Sequence, residues 1–121
     1  MRPHVSLNVV RGNLDESHYE FEEPTQCALG RARDCGLHAV PDMSNVNVSR
    51  HHCVFEIDPP KVLIRDLGSR YGTFVNGKCI GQREEDLEAE RAKPIWSSER
   101  KLRDGDEIRA GDVVLRVAIN S

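Results

Sequence analysis

Apolar and polar residues alternate along most of the chain, and a period of two marks strands that bury one face. His4-Val5-Ser6-Leu7-Asn8-Val9 puts Val5, Leu7 and Val9 on one side. Cys53-Val54-Phe55-Glu56-Ile57 and Val62-Leu63-Ile64-Arg65 read as two further strands, with Asp58-Pro59-Pro60-Lys61 as the turn between them. Thr73-Phe74-Val75 and Lys78-Cys79-Ile80 flank Asn76-Gly77, a dipeptide that tolerates the positive φ of a tight hairpin. Asp104-Gly105 and Ala110-Gly111 bracket Glu107-Ile108-Arg109, and Val113 to Ile119 reads as a closing strand. Short strands with turn signals roughly every 8–12 residues predict an all-β sandwich or barrel.

One segment departs from this pattern. Gln82 to Lys101 is densely charged, with Leu87, Ala89 and Ala92 as its apolar residues before Pro94. Glu88 and Arg91 stand at i, i+3, which predicts a short helix over about Arg83–Ala92 that Pro94 ends. Ile95-Trp96 is expected to pin this insertion to the body of the domain. No repeat and no linker interrupts the chain, so one domain is expected over residues 1–121. Ser121 follows directly on the last predicted strand, which reads as the N-terminal part of a longer protein.

Composition narrows the class. At 121 residues, 38% hydrophobic and 31% charged, the chain has room for one modest core. Purely aliphatic runs stop at three residues, as in Val113-Val114-Leu115, far short of the roughly 20 that span a bilayer. No export signal opens the sequence, so the expected location is cytoplasmic, with no membrane partner. Cys27, Cys35, Cys53 and Cys79 form no C-x-x-C pair, and neither a zinc site nor a disulfide framework is indicated. Cys53 with His51 or His52 is the one metal-ligand combination in view, and neighbouring strand positions point to opposite faces. Four reduced, mostly buried thiols are expected instead, with no metal and no cofactor.

The net charge of -3 argues against a nucleic-acid partner. Its distribution says more. Residues 1–29 carry 2 basic and 5 acidic side chains, residues 30–83 carry 8 and 5, and residues 84–121 carry 7 and 10. A cationic middle on an anionic protein points to a local anion site. Three polar clusters interrupt the strands there: Gly30-Arg31, Val48-Ser49-Arg50-His51-His52 and Gly68-Ser69-Arg70-Tyr71-Gly72. Together they supply three guanidinium groups, two serine hydroxyls and several backbone N–H donors, but no carboxylate. Arginine's planar fork can hold two oxygens of one phosphate, so a doubly charged phosphate suits this set.

Gly30-Arg31, Ser49-x-x-His52, Ser69-x-x-Gly72-Thr73-Phe74-Val75-Asn76-Gly77 and Leu102-x-Asp104-Gly105-Asp106-x-Ile108 together resemble the forkhead-associated (FHA) domain. The resemblance runs from about Thr25 to Ile119. It implies an FHA-type β-sandwich of about eleven strands whose apical loops bind phosphothreonine in a partner protein, without catalysis. That partner would be the substrate of a Ser/Thr kinase, or the kinase itself, and the domain would act as a monomer. The resemblance makes Arg31 and Ser49 the main phosphate ligands and puts Arg50 on the phosphate or the peptide backbone. It makes His52 a prop beneath the binding loop, and gives Gly30, Gly72, Thr73, Asn76 and Gly77 the task of holding the site's shape. In one place the chain departs from the family: Tyr71 stands where an Asn commonly precedes Gly-Thr. A phenol offers less to a peptide backbone than an amide, and Arg70 beside it is expected to reach the phosphate in compensation.

Two other classes compete with this reading. Ser49 and His52, with Asp66 as orienting acid, have the residue types of a nucleophilic triad, although no cleft or oxyanion hole stands out. An FHA scaffold making phosphate-independent protein contacts is the nearer alternative. Only the phosphopeptide reading needs Arg31.

Overall fold

The computed structural model describes residues 2–83 and 99–120 together with the backbone of residues 94–97. The expected helix over 83–92 falls on positions outside those described, apart from Arg83, which lies in a strand, and the anchoring role expected of the Trp96 side chain lies outside the description too. Twelve strands are present: β1 (His4–Arg11), β2 (His18–Phe21), β3 (Thr25–Gly30), β4 (Leu37–His38), β5 (Cys53–Asp58), β6 (Lys61–Asp66), β7 (Thr73–Val75), β8 (Lys78–Arg83), β9 (Pro94–Ser97), β10 (Arg100–Lys101), β11 (Glu107–Ala110) and β12 (Val113–Asn120). One turn of 3₁₀ helix, Met43–Asn45, is the only helical element among the described residues.

The strands form two sheets, ordered β2-β1-β12-β11-β7-β8-β9 and β10-β6-β5-β3-β4. All pairings are antiparallel except β3 with β4. The core lies between the sheets. Val5 and Leu7 of β1, Val113, Leu115 and Val117 of β12, Ile108 and Ala110 of β11, Val75 of β7 and Ile80 of β8 face it from one side. Leu29 of β3, Phe55 and Ile57 of β5, and Val62 and Ile64 of β6 face it from the other. These are the alternate positions of each strand, as pleating requires.

Every strand predicted from alternation is present, most of them one to three residues longer than expected. The missed strands are β2, β3, β4, β9 and β10. His18–Phe21 and Thr25–Gly30 carry half-buried and exposed positions in place of a clean apolar face, and β4 and β10 have two residues each. Backbone pairing, which leaves no mark on side-chain pattern, made these strands.

Alternation also decides something less usual. On β6, Val62 and Ile64 point inward, so the next inward position is Asp66, with 2% exposure. On β7 the inward pair is Thr73 and Val75, both buried. A carboxylate and a hydroxyl are thereby pressed into the edge of the core, directly below the loops that carry the polar clusters.

Candidate functional site

A buried carboxylate must collect hydrogen bonds, and Asp66 collects at least four. One oxygen accepts from the backbone N–H of Gly68 at 2.8 Å and of Ser69 at 2.9 Å. The other accepts from the hydroxyls of Ser69 and Thr73, each at 2.6 Å. Ser69, itself fully buried, passes the order on: its Oγ accepts from the N–H of Gly72 at 3.0 Å. Gly72 sits at φ +89°, where a β-carbon would be strained and would press on the Phe74 ring. The loop from Leu67 to Gly72 is therefore wound around one carboxylate. From the flank, Gln82 donates to the Arg70 carbonyl at 3.0 Å and the Arg83 N–H to the Ser69 carbonyl at 2.7 Å.

The loop before β5 is held by a second buried polar group. His52 has 0% exposure. Its Nδ1 accepts from the Ser49 N–H at 3.1 Å, which fixes the proton on Nε2, and Nε2 donates to the Gly72 carbonyl at 2.8 Å. Burial pushes the imidazole below its ordinary pKa of 6.5, against the opposing pull of the Gly72 carbonyl and the Asp66 charge. His52 is thus a neutral strut between two loops. With both ring nitrogens engaged, neither can take a proton from the Ser49 hydroxyl, and the geometry of a nucleophilic triad is absent.

The third loop is joined by backbone. The N–H groups of Arg31 and Ala32 donate to the carbonyls of Ser49 and Arg50 at 3.1 and 3.0 Å. Such an approach requires glycine at position 30, because a β-carbon there would lie 2.0 Å from the Arg50 carbonyl oxygen. The Arg31 side chain is oriented by its Nε, which donates to the Val48 carbonyl. This leaves the two terminal nitrogens of the guanidinium as the donors available to a ligand.

These supports bring Arg31, Ser49, Arg70 and Tyr71 together around a depression of about 260 Å³, completed by Val46, Asn47 and Val48. The Ser49 Oγ accepts from the Arg70 N–H at 3.2 Å and keeps its own proton to donate. The Arg70 guanidinium lies 5.5 Å from the centre of the exposed Tyr71 ring. Arg50 is exposed on the adjoining backbone, outside the lining of the depression. Among the described residues, no carboxylate pairs with Arg31, Arg50 or Arg70. Asn47 lines the depression with its amide already committed, since its N–H and Nδ2 both donate to Asp112, at 2.7 and 3.2 Å.

Gly30, His52, Gly72 and Thr73 lie directly beneath or behind the depression. Asn76 and Gly77 do not. They form the β7–β8 turn at the other end of β7, with positive φ at both positions. There Asn76 exchanges hydrogen bonds with Asp106 and Glu107. The residues that sequence reasoning passed over as supports are Asp66, Ser69 and Gln82. A signal for Asp66 was present in the Val62-Ile64-Asp66 alternation, which forecasts a buried carboxylate. Nothing local marks Gln82.

The forkhead-associated (FHA) domain model matches residues 27–111, well over half of the chain. The chain belongs to the FHA domain family. The two-sheet architecture and the order of its motifs agree with that membership. Among solved structures, an FHA domain from a study of phosphothreonine-dependent FHA domain interactions is similar over 98% of both chains, at 27% identity and a TM-score of 0.70. The FhaA FHA domain, solved in complex with the intracellular domain of Rv3910, is 29% identical over 93% of this chain and 98% of its own, with a TM-score of 0.64. The FHA domain of CT664 from Chlamydia trachomatis shares the fold at 19% identity and a TM-score of 0.72, over 98% of this chain and 99% of that one. A search among curated proteins gave no significant match.

Proposed function

We propose that this FHA domain recognises a phosphothreonine in a partner protein, with Arg31 and Ser49 as the principal phosphate ligands. The observation that carries the reading is that Arg31 and Ser49, from two different loops, line one depression. A phosphate carries about -1.5 to -2 charge at neutral pH and three acceptor oxygens. Two N–H donors from Arg31, one O–H from Ser49 and the cationic rim of Arg50 and Arg70 match it in number and sign. Val46 and Val48 line the same depression and supply an apolar surface for the γ-methyl of threonine, which serine lacks. Tyr71 stands at the rim, where the phenol can meet peptide backbone or the face of a side chain.

Three charge-assisted hydrogen bonds contribute about 5–9 kcal/mol before association costs, which leaves affinity of micromolar order once a few peptide contacts are added. That range suits reversible signalling downstream of a Ser/Thr kinase. The domain acts by binding alone, as a monomer, with a protein as its partner. The chain has two threonines. Thr25 opens β3 and bonds the Glu23 carbonyl, and Thr73 is buried on Asp66. A phosphorylated target therefore lies outside residues 1–121.

The test is calorimetric titration with phosphothreonine, phosphoserine and unphosphorylated versions of a degenerate peptide pool, with Arg31→Ala as control. Micromolar binding restricted to the phosphothreonine pool and lost in the variant establishes the reading. Binding to no phosphorylated pool would sink it, in favour of phosphate-independent contacts by the same scaffold.

A further inference from the structure

The backbone ladder that joins Arg31 and Ala32 to Ser49 and Arg50 places two further loop residues within reach of a third. Cys35 closes a turn, its N–H donating to the Ala32 carbonyl at 3.1 Å. This carries Asp34 and Cys35 back toward His51. One donor atom each from Asp34, Cys35 and His51 lies within 4.8 Å of the others. His51 Nε2 is 3.0 and 3.1 Å from the two Asp34 oxygens. The Cys35 Sγ points to the Arg50 carbonyl at 3.4 Å.

We propose that Asp34, Cys35 and His51 form a binding site for a divalent transition metal, zinc above all. One thiolate, one imidazole and one carboxylate are the three donor types that zinc accepts. Three protein ligands on a tetrahedral ion leave the fourth position to water. The Asp34 and His51 side chains are exposed, at 73% and 48%, and are held only by each other, a contact the ion would replace. Cys35 is fixed by burial. Zn–S near 2.3 Å and Zn–N and Zn–O near 2.0–2.2 Å put the ligand atoms of a tetrahedral ion about 3.3–3.7 Å apart, so Asp34 and His51 must swing toward the thiol and part slightly from each other.

The proton balance is simple. Burial and the nearby Asp34 charge raise the Cys35 thiol above its ordinary value. Coordination expels the thiol proton to solvent, and the proton that His51 Nε2 donates to Asp34 must move to Nδ1 so that Nε2 can bind the ion. The ion would clamp the 31–35 loop to the 49–51 loop, one residue from Arg50. This site differs from the pairing of Cys53 with His51 or His52 considered from sequence. Cys53 and His52 are buried in the core, whereas His51 is exposed.

Cobalt(II) is the probe for the reduced domain, because a thiolate ligand gives a charge-transfer band that oxygen and nitrogen ligands do not. The expected result is that band with one-to-one stoichiometry, displaced by zinc(II). Cys35→Ser should abolish it, and Asp34→Asn or His51→Ala should weaken binding at least tenfold. Asp34 and His51 are surface positions, so these two variants test the site without threatening the fold. His4, His18 and Glu20, which cluster across β1 and β2, lack a thiol and cannot produce the band. Absence of the band, or its persistence at full strength in His51→Ala and Asp34→Asn, overturns the proposal. The readout uses no peptide and is independent of what the neighbouring depression binds.

Discussion

At the scale of single residues, the site depends on groups whose geometry is fixed by what lies behind them. Arg31 is held by its own Nε on the Val48 carbonyl, so its fork is aimed before any ligand arrives. Arg31→Ala is expected to weaken phosphothreonine-peptide binding about 100-fold or more, because two charge-assisted hydrogen bonds disappear. Arg31→Lys keeps the charge but loses the fork, and should recover only part of that loss. Titration calorimetry at constant salt separates the two. Gly30 is constrained from the other direction. Its missing β-carbon is what lets the Arg50 carbonyl approach, since a β-carbon would stand 2.0 Å from that oxygen. Gly30→Ala should cost about 2–4 kcal/mol in chemical denaturation and abolish peptide binding, because the two loops must part.

At the scale of elements, two of the three loops are organised by buried polar groups that do not line the depression, and the third is joined to them by backbone. Asp66 accepts from Gly68, Ser69 and Thr73. Asp66→Asn preserves shape but turns an amide nitrogen toward donors that need an acceptor. The denaturation midpoint should fall by the equivalent of about 2–4 kcal/mol. Thr73→Val removes one of those donors while leaving the rest, and should cost about 1–2 kcal/mol, measured the same way. His52 couples the Ser49 loop to the Gly72 loop and adds a pH dependence. Its folded pKa lies below 6.5, the value of the free side chain, so the unfolded chain takes up this proton first as pH falls. The stability His52 contributes is complete above pH 6.5 and is lost as pH drops through the folded value. Denaturation midpoints should therefore decline on acidification from about pH 7 to pH 5.5, and His52→Asn should flatten that slope.

At the scale of the whole molecule, the sandwich is a rigid platform whose loops at one end carry the recognition groups. Phe55 is among the largest fully buried side chains and lies in the middle of β5. Phe55→Ala should cost about 3–5 kcal/mol. Thermal or denaturant melts would show it, with peptide affinity unchanged for the fraction that remains folded, because Phe55 is not among the residues that line the depression. A variant that lost affinity while folded would show that core packing also sets loop geometry.

The sequence by itself determined the sheet-forming segments that alternate cleanly, the hairpin at Asn76-Gly77, the cationic middle and the family motifs. Each of these is a local property: side-chain period, turn chemistry or residue type at fixed spacing. It named Arg31, Ser49, Arg70 and Tyr71, which the fold gathers around one depression, and Arg50, which lies beside it. The strands at Thr25–Gly30 and Lys61–Asp66 show where that reach ended. The first lacks a clean apolar face and exists because β5 pairs with it, which is a contact between positions about 30 apart. The second was read as stopping at Arg65, one residue short of Asp66, the carboxylate around which the recognition loop is wound. Only the tertiary structure decided that Asp66 would meet Thr73, that Gln82 would hold Arg70, and that Asp34, Cys35 and His51 would converge. The physical reason is common to all three: hydrogen bonds and donor geometry depend on distances across turns and between neighbouring loops, and those distances exist only once the strands have paired and packed.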